Sequence, residues 1–344
     1  MKENGGLVIS LDFELNWGIH DVFTKGEYDE NIRGVREVIP RLLKLFKRYE
    51  IHATWATVGF LYAKNKQELL TALPKEYPTY HRTELSPYPT IETIGENEET
   101  DCYHYGASLI KQIEQTPYQE IGTHTFSHYY CLEPGQTVRQ FQADIASAMT
   151  IAKQHGHHVH SIVFPRNQVN EDYLRICKKV KIRTYRGNES HWMYTPRKFN
   201  KGLHLNRLLK CGDSYLNLSG HHVYKLQNLQ MEPLVNIPSS AFLRPYHPNL
   251  QWLEPLRFKR IINSMRKAAK EKAIYHLWWH PHNMGKNTDQ NFEMLERILE
   301  EYVKLQQSEQ FTSYSMGEVA DLVEEMNAST SCVTRQQLVL EGNV

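Results

Sequence analysis

The chain has 344 residues, of which 40% are hydrophobic and 11% aromatic, enough for one large α/β domain or two smaller ones. The formal net charge is only +1 and no basic block stands out, which argues against a nucleic-acid partner. Five widely spaced cysteines without a CxxC pair argue against a disulfide framework or a cysteine zinc site. No apolar run approaches the roughly 20 residues of a membrane span, and the polar start does not resemble a signal peptide. We therefore expect a cytoplasmic protein.

Short apolar segments alternate with amphipathic ones along the chain. In chain order, strands are predicted at 7–11, 53–58, 120–123, 161–164, 182–185, 234–238 and 273–279, and residues 311–315 lead into the last helix. Helices are predicted at 35–46, 60–73, 137–155, 172–179, 256–272, 291–306 and 316–326. Segments 74–105 and 187–232 show no clean period and are predicted to be long loop excursions. Residues 327–344 are predicted to be a polar C-terminal tail.

Repeated β-then-α units predict a parallel sheet covered by helices. Seven or eight such units favour a closed or nearly closed barrel over an open sheet, with residues 1–326 forming one domain. In barrels of this kind the functional side chains lie at the carboxyl ends of the strands. The residues that follow each predicted strand are therefore the first place to look for chemistry.

Two of the 18 histidines, His124 and His128, follow the third strand with HxxxH spacing. On a helical turn this spacing puts both rings on one side, within reach of a single ion. Imidazole suits zinc, iron and related metals. A capping or core pair would give the same spacing, so the pair alone does not establish a metal site.

The first strand ends in the acidic pair Asp12 and Glu14. Strand side chains repeat every second residue, so both carboxylates point toward the same face. Acids at the end of an apolar strand are costly unless something pairs them, and a metal ion is one such partner. An N-cap acid beside a solvated acid is the simpler alternative. With the two histidines, one carboxylate would complete a catalytic zinc site and the other could act as general base.

Two further strand ends add to this set. His280 follows a late strand and could be a general acid, with His282 as an alternative. Arg166 follows the fourth strand and could hold and orient Asp12 through a charged hydrogen bond. One ion, one base, one acid and one orienting cation are what hydrolysis of an amide needs.

On these motifs the chain resembles the polysaccharide deacetylase family, carbohydrate esterase family 4, which shares the NodB homology domain. Asp12 and Glu14 match the base and the metal-binding acid of the family, in a spaced D-x-E form rather than as adjacent aspartates. His124 and His128 match its histidine motif, and His280 matches the acid histidine that ends its last strand. The family's arginine motif is matched less well, by Phe164-Pro165-Arg166-Asn167 or, alternatively, by Arg244-Pro245-Tyr246.

The resemblance covers about residues 7–326 and implies a distorted (β/α) barrel with seven or eight units. It implies one divalent metal ion, usually zinc, held here by Glu14, His124 and His128. It also implies removal of an acyl group, typically the N-acetyl group of a sugar. The stretch 10–18 resembles a cytoplasmic branch found in surface-polysaccharide pathways, so we expect a nucleotide-linked, lipid-linked or oligosaccharide substrate.

Substrate contacts are predicted near the strand ends and in the loop excursions. Aromatic rings that could stack on a sugar, although most such rings are core, are Trp17, Tyr103, Tyr105, Trp192, Trp278 and Trp279. Arg186 could contact the phosphate of a nucleotide- or lipid-linked sugar. Glu189 and His282 are predicted to line the site.

Three other functions fit part of this pattern. A non-haem iron oxygenase also uses two histidines and a carboxylate, but antiparallel all-β strands would be expected there. A non-catalytic carbohydrate-binding barrel could keep the metal, although Asp12 and His280 argue against loss of activity. An amidase of the same fold could act on a non-sugar amide.

Overall fold

The computed structural model describes residues 4–23, 26–195 and 204–341. In these residues the strands are β1 Gly6–Phe13, β2 Ala53–Thr57, β3 Gln119–Thr123, β4 Ser161–Ile162, β5 Thr184–Tyr185, β6 Val235–Asn236, β7 Ala241–Phe242, β8 Ile274–Trp279 and β9 Thr312–Tyr314. The α-helices are α1 Asp29–Arg48, α2 Lys66–Ala72, α3 Ala107–Glu114, α4 Val138–Gln154, α5 Glu171–Lys179, α6 His204–Leu216, α7 Glu254–Glu271, α8 Thr288–Glu309 and α9 Met316–Glu341.

The sheet is parallel and curls around β1. Its strands follow the order β6-β5-β4-β3-β2-β1-β8-β7, and β9 adds to β1. Two strands share one edge of β1: β9 pairs with its residues 6–8 and β2 pairs with its residues 9–13. Strand β8 pairs along the other edge. No described ladder joins β6 to β7 at the two ends of this order. The predicted distorted (β/α) barrel is therefore confirmed.

The two faces of the sheet bury different clusters, because successive strand residues point to opposite sides. The odd-numbered residues of β1 from Leu7 to Phe13 pack in the cluster between the sheet and the helices. Val8 belongs to a second cluster, on the inner face, to which α9 also contributes. Ser10 and Asp12 follow on that inner face. The inner face is therefore apolar near Val8 and polar toward the carboxyl ends of the strands.

The helix predicted over residues 60–73 is shorter in the structure. Gly59–Tyr62 forms a 3-10 turn, and α2 begins at Lys66. The Asn65 side chain accepts a hydrogen bond from the Glu68 backbone N–H at 2.9 Å, which caps the helix start. Helix α3 was not predicted, because its apolar residues span little more than two turns.

The C-terminal helix α9 continues through residues 327–341, where the sequence predicted a polar tail. No glycine or proline lies between residues 318 and 341, so the sequence contains no strong helix breaker there. Within the predicted excursion over residues 187–232, residues 196–203 lie outside the described residues. Among the described helices, none is both long and apolar enough to cross a membrane.

Candidate metal centre and active site

The two predicted histidine ligands lie on a loop after β3, and the helical turn expected from their spacing does not form. Thr125 and His128 adopt left-handed conformations, with φ of 64° and 57°. Asp144 of α4 accepts hydrogen bonds from the backbone N–H groups of Phe126 at 2.8 Å and Ser127 at 3.1 Å. These bonds take the place of helical ones, so α4 determines the path of the loop that carries both rings.

Three buried side chains converge at the carboxyl ends of β1 and β3. Nε2 of His124 lies 3.2 Å from Oε2 of Glu14, and Nε2 of His128 lies 3.1 Å from the same oxygen. Nδ1 of His124 lies 2.8 Å from the Val163 carbonyl and donates to it, which turns the Nε2 lone pair toward Glu14. Ligand atoms of the three residues all lie within 4.8 Å of one another.

The charges of this cluster fit a bound cation. Burial would raise the pKa of Glu14, but the neighbouring His280 and His128 hold it well below its usual value. Burial lowers the pKa of His128 to about 4, against the pull of Glu14. At neutral pH the ionised carboxylate of Glu14 therefore faces the neutral ring of His128, a buried arrangement that a cation between them would stabilise. Two imidazoles and one carboxylate are a zinc ligand set.

The predicted base Asp12 is held by Arg186. Nη1 of Arg186 lies 2.8 Å from Oδ1 of Asp12, and Nη2 lies 2.7 Å from Oδ2, a bidentate pair. Burial would raise the pKa of Asp12, but Arg186 together with His124 and His280 holds it below its usual value. Asp12 is therefore an ionised carboxylate with a fixed orientation, ready to accept a proton.

Arg186 is fully buried, so the prediction that it contacts a substrate phosphate is wrong. Its guanidinium is already engaged with Asp12, with the Ser10 hydroxyl at 3.0 Å and with Oδ1 of Asn167 at 2.9 Å. No local pattern indicates this role, because Arg186 and Asp12 are 174 positions apart in the chain.

Arg166 was predicted to orient Asp12, and this prediction is also wrong. Its guanidinium forms an ion pair with Asp21 and lies over the ring of Tyr130, with 4.2 Å between Cζ and the ring centroid. Arg166 and Asn167 both adopt left-handed conformations, with φ of 53° and 52°. In this tight turn Asn167 faces Arg186, while Arg166 reaches Asp21 instead.

His280 lies beside both carboxylates. Its Nε2 is 3.7 Å from Oδ2 of Asp12 and 3.6 Å from Oε1 of Glu14, and its Nδ1 is 3.0 Å from Oδ1 of Asn283. The His280 side chain is 23% exposed. The ring of His282 stacks on it at 4.9 Å, and burial, together with His280, lowers the pKa of His282 to about 3. His282 is therefore neutral at neutral pH, whereas His280 is open to the solvent side of the site.

Two of the tryptophans predicted to contact substrate are core residues. Trp17 and Trp279 are both 0% exposed. Trp17 donates its Nε1–H to the His104 carbonyl at 2.8 Å, and Trp279 faces α1, with its ring 6.3 Å from that of Phe46. Neither ring has surface left for a sugar, so both predictions are wrong. Tyr105 is likewise 0% exposed.

Trp278 lies on the opposite face of β8 from Trp279. Cζ of Arg186 lies 4.1 Å from its ring centroid, and the ring of His280 lies 5.6 Å away. Because it is only partly buried, Trp278 is the tryptophan of this strand that borders the candidate site.

The remaining substrate predictions concern Glu189 and Trp192. Glu189 is 5% exposed, and burial raises its pKa although the Ser239 hydroxyl, Lys210 and Arg186 act in the opposite direction. It therefore has little surface with which to contact a substrate. Trp192 is 59% exposed, so a contact between its ring and a sugar stays a prediction.

A buried polar network below the base was missed. Nε2 of His276 lies 2.8 Å from the Ser10 hydroxyl, which in turn contacts Arg186. Burial, together with Arg186, lowers the pKa of His276 to about 3, so it is neutral. The period of two along a strand was the available signal, because Ser10 precedes Asp12 by two positions and His276 precedes His280 by four.

The fold and these side chains define a (β/α)-barrel protein with a candidate metal centre at the carboxyl ends of its strands. Residues 27–185 match the model of the family described as polysaccharide deacetylase. The resemblance to this family is therefore confirmed over these residues. None of the curated protein sequences matches this chain.

Solved structures share the fold. A Mycobacterium smegmatis protein assigned to the polysaccharide deacetylases has a TM-score of 0.58 at 12% identity, covering 95% of this chain and 93% of its own. The Puue allantoinase has a TM-score of 0.54 at 12% identity, covering 93% and 90%. A Pseudomonas aeruginosa PAO1 protein, likewise assigned to the polysaccharide deacetylases, has a TM-score of 0.53 at 10% identity, covering 93% and 91%. At these identities the likeness establishes the fold alone.

Proposed function

We propose that the protein is a metal-dependent hydrolase that removes an N-acyl group, most simply N-acetyl, from a sugar or sugar precursor of surface-polysaccharide biosynthesis. One observation carries the proposal. Asp12 is ionised, is held by Arg186 and lies next to the buried metal-ligand set. His280 lies within 3.7 Å of both the Asp12 and the Glu14 carboxylates. This combination provides a proton acceptor, a partly open histidine and a place for a cation in one site.

Different residues of the chain have different roles in the proposed reaction. A divalent ion held by Glu14, His124 and His128, with zinc as the expected metal, would supply Lewis acidity that polarises an acyl carbonyl and acidifies water. Asp12 accepts the proton of the attacking water, and Arg186 keeps both carboxylate oxygens in place while it does so.

We assign the general acid to His280. The departing amine needs a proton donor that it can reach, and His280 is the partly exposed member of the stacked pair. His282 is buried and neutral, so its contribution is to pack beneath the ring of His280. Trp278, at the edge of the site, is the proposed apolar contact for the sugar.

The substrate class rests on the family, whose members deacetylate sugars, and a nucleotide-linked, lipid-linked or oligosaccharide form is proposed. A cytoplasmic setting is part of the proposal, supported by cysteines that are free wherever the structure describes them. The parallel sheet counts against a non-haem iron oxygenase. An amidase acting on a non-sugar C–N bond is the second candidate, favoured by the fold shared with the Puue allantoinase.

The test is release of acetate or formate from a panel of nucleotide-linked, lipid-linked and oligosaccharide N-acyl sugars, with hydrolytic ring opening of allantoin as the non-sugar reaction. We expect release from at least one sugar, loss with a chelator and recovery with Zn²⁺. Turnover of allantoin alone would favour the amidase. No acid release from any sugar and no turnover of allantoin, with or without the chelator, would remove both candidates.

Asp12→Asn separates the base from the metal site. Turnover should fall by about 100-fold or more, because a positioned base contributes roughly that much, while the Zn²⁺ content stays the same. Asp289→Asn is the control, since that carboxylate is 86% exposed and pairs only at the surface with Arg41. Wild-type turnover in a metal-loaded Asp12→Asn variant would contradict the proposed mechanism.

A further inference from the structure

A chain of buried side chains leads away from His128, on the side opposite Glu14. Nδ1 of His128 lies 3.2 Å from the hydroxyl oxygen of Tyr130. That oxygen lies 3.2 Å from Oδ1 of Asp21. Tyr130 and the Asp21 side chain are both 0% exposed, so water does not compete for these contacts.

The proton positions in this chain follow from the chemistry of its groups. The Asp21 carboxylate can only accept, so the Tyr130 hydroxyl donates to it. The Tyr130 oxygen is then free to accept from the Nδ1–H of His128. With the proton on Nδ1, the Nε2 lone pair of His128 faces Glu14, 3.1 Å away. The contacts therefore select the tautomer that a metal ligand requires.

Arg166 supports both members of this chain. Its guanidinium forms an ion pair with Asp21 and lies over the ring of Tyr130, 4.2 Å from the centroid. One cation thus fixes the acceptor and the aromatic ring that donates to it. It also balances the charge of a carboxylate that is buried and would be costly alone.

The other histidine ligand is supported differently. Nδ1 of His124 donates to the backbone carbonyl of Val163, which no side-chain substitution removes. His128 depends on side chains instead, so its orientation can be weakened without touching His124 or Glu14. A substitution in the Tyr130 chain therefore perturbs one ligand of the three.

We propose that Tyr130, Asp21 and Arg166 are positioning residues that set the metal affinity of the site through His128. The inference rests on the proposed function, because it presupposes that Glu14, His124 and His128 hold a metal ion. Partners that hydrogen-bond to a ligating histidine typically change metal affinity by about 10–100-fold.

The test is the dissociation constant of Zn²⁺ from the full-length protein, measured by competition with a chromophoric chelator. Tyr130→Phe keeps the ring and removes the hydroxyl, so we expect Zn²⁺ to bind about 10–100-fold more weakly. Tyr129→Phe is the matched control. Its hydroxyl is also buried but bonds to Gln136 and the Thr137 carbonyl, so its affinity should stay within about twofold of wild type.

Asp21→Asn is the second variant, which keeps the shape of the acceptor and removes its charge. We expect a loss of affinity of about tenfold, and this variant decides the matter if Tyr130→Phe does not fold. Thermal unfolding in excess chelator shows whether the metal-free variants are as stable as the Tyr129→Phe control. Wild-type Zn²⁺ affinity in either folded variant would overturn the inference. If the wild type itself binds no Zn²⁺, the proposed function fails instead.

Discussion

Arg186→Lys is the sharpest test of how the base is held. The guanidinium makes two charge-assisted hydrogen bonds to Asp12, at 2.8 and 2.7 Å, and also contacts Ser10 and Asn167. A lysine ammonium keeps a positive charge near Asp12 but replaces the planar fork with a single point of contact. Asp12 would then be free to rotate out of the orientation that accepts a proton from water.

The size of the effect follows from these contacts. One lost hydrogen bond to a charged group is worth about 1.5–3 kcal/mol, which is roughly 10- to 150-fold in rate if it acts in the transition state. A displacement of about 1 Å in a reacting group costs a similar factor, near 100-fold. We therefore expect kcat/KM to fall about 100-fold. Arg186→Ala is less informative, because the unpaired buried Asp12 would cost about 3–5 kcal/mol of stability.

The assay is steady-state acyl release at saturating Zn²⁺, with metal content measured on the same samples. Arg166→Lys is the comparison that separates the two arginines. Its loss should lie mainly in Zn²⁺ affinity, so saturating metal should restore most of the turnover. Equal losses for both variants at saturating Zn²⁺, or none for Arg186→Lys, would refute the assignment of Arg186 to Asp12.

Three further predictions concern stability and substrate affinity. Burial raises the pKa of Asp144 to about 6, above its usual value of 3.8, so the ionised form of Asp144 opposes folding. Its contribution to stability is fully present below the unfolded pKa of 3.8 and is lost as the pH rises through the folded pKa of about 6. Urea titrations give the free energy of unfolding of the wild type and of Asp144→Asn. The wild-type value minus the variant value should fall by roughly 2 kcal/mol between about pH 4.5 and about pH 7.5. A difference that stays flat or rises with pH would contradict this. Trp279→Ala should cost about 3–5 kcal/mol of stability because it leaves a cavity beside Phe46. Trp278→Leu should instead raise KM about tenfold with a smaller loss of stability, and the reverse pattern would show that the faces of β8 are misassigned.

Most of the barrel was predictable because its signals are local. The buried strands are short apolar segments, and amphipathic helices follow them at regular intervals. The errors lie where local signals are weak or compete. Helix α3 is too short to show a period, and the segment after residue 326 looks polar but contains nothing that ends a helix. The brief strand β7, with two residues, is defined only by its pairing with β8.

The sequence by itself determined which polar residues lie at or just after the carboxyl ends of strands, and these ends meet at one edge of a parallel sheet. This holds for Asp12, Glu14 and the two histidines of the HxxxH pair. Only the tertiary structure decided which arginine holds Asp12, since Arg166 and Arg186 follow neighbouring strands and differ in what lies opposite them. It also decided the path of the histidine loop, because the bonds that bend it come from α4. Partners across the barrel depend on how the sheet curls, and no local pattern in the sequence records that.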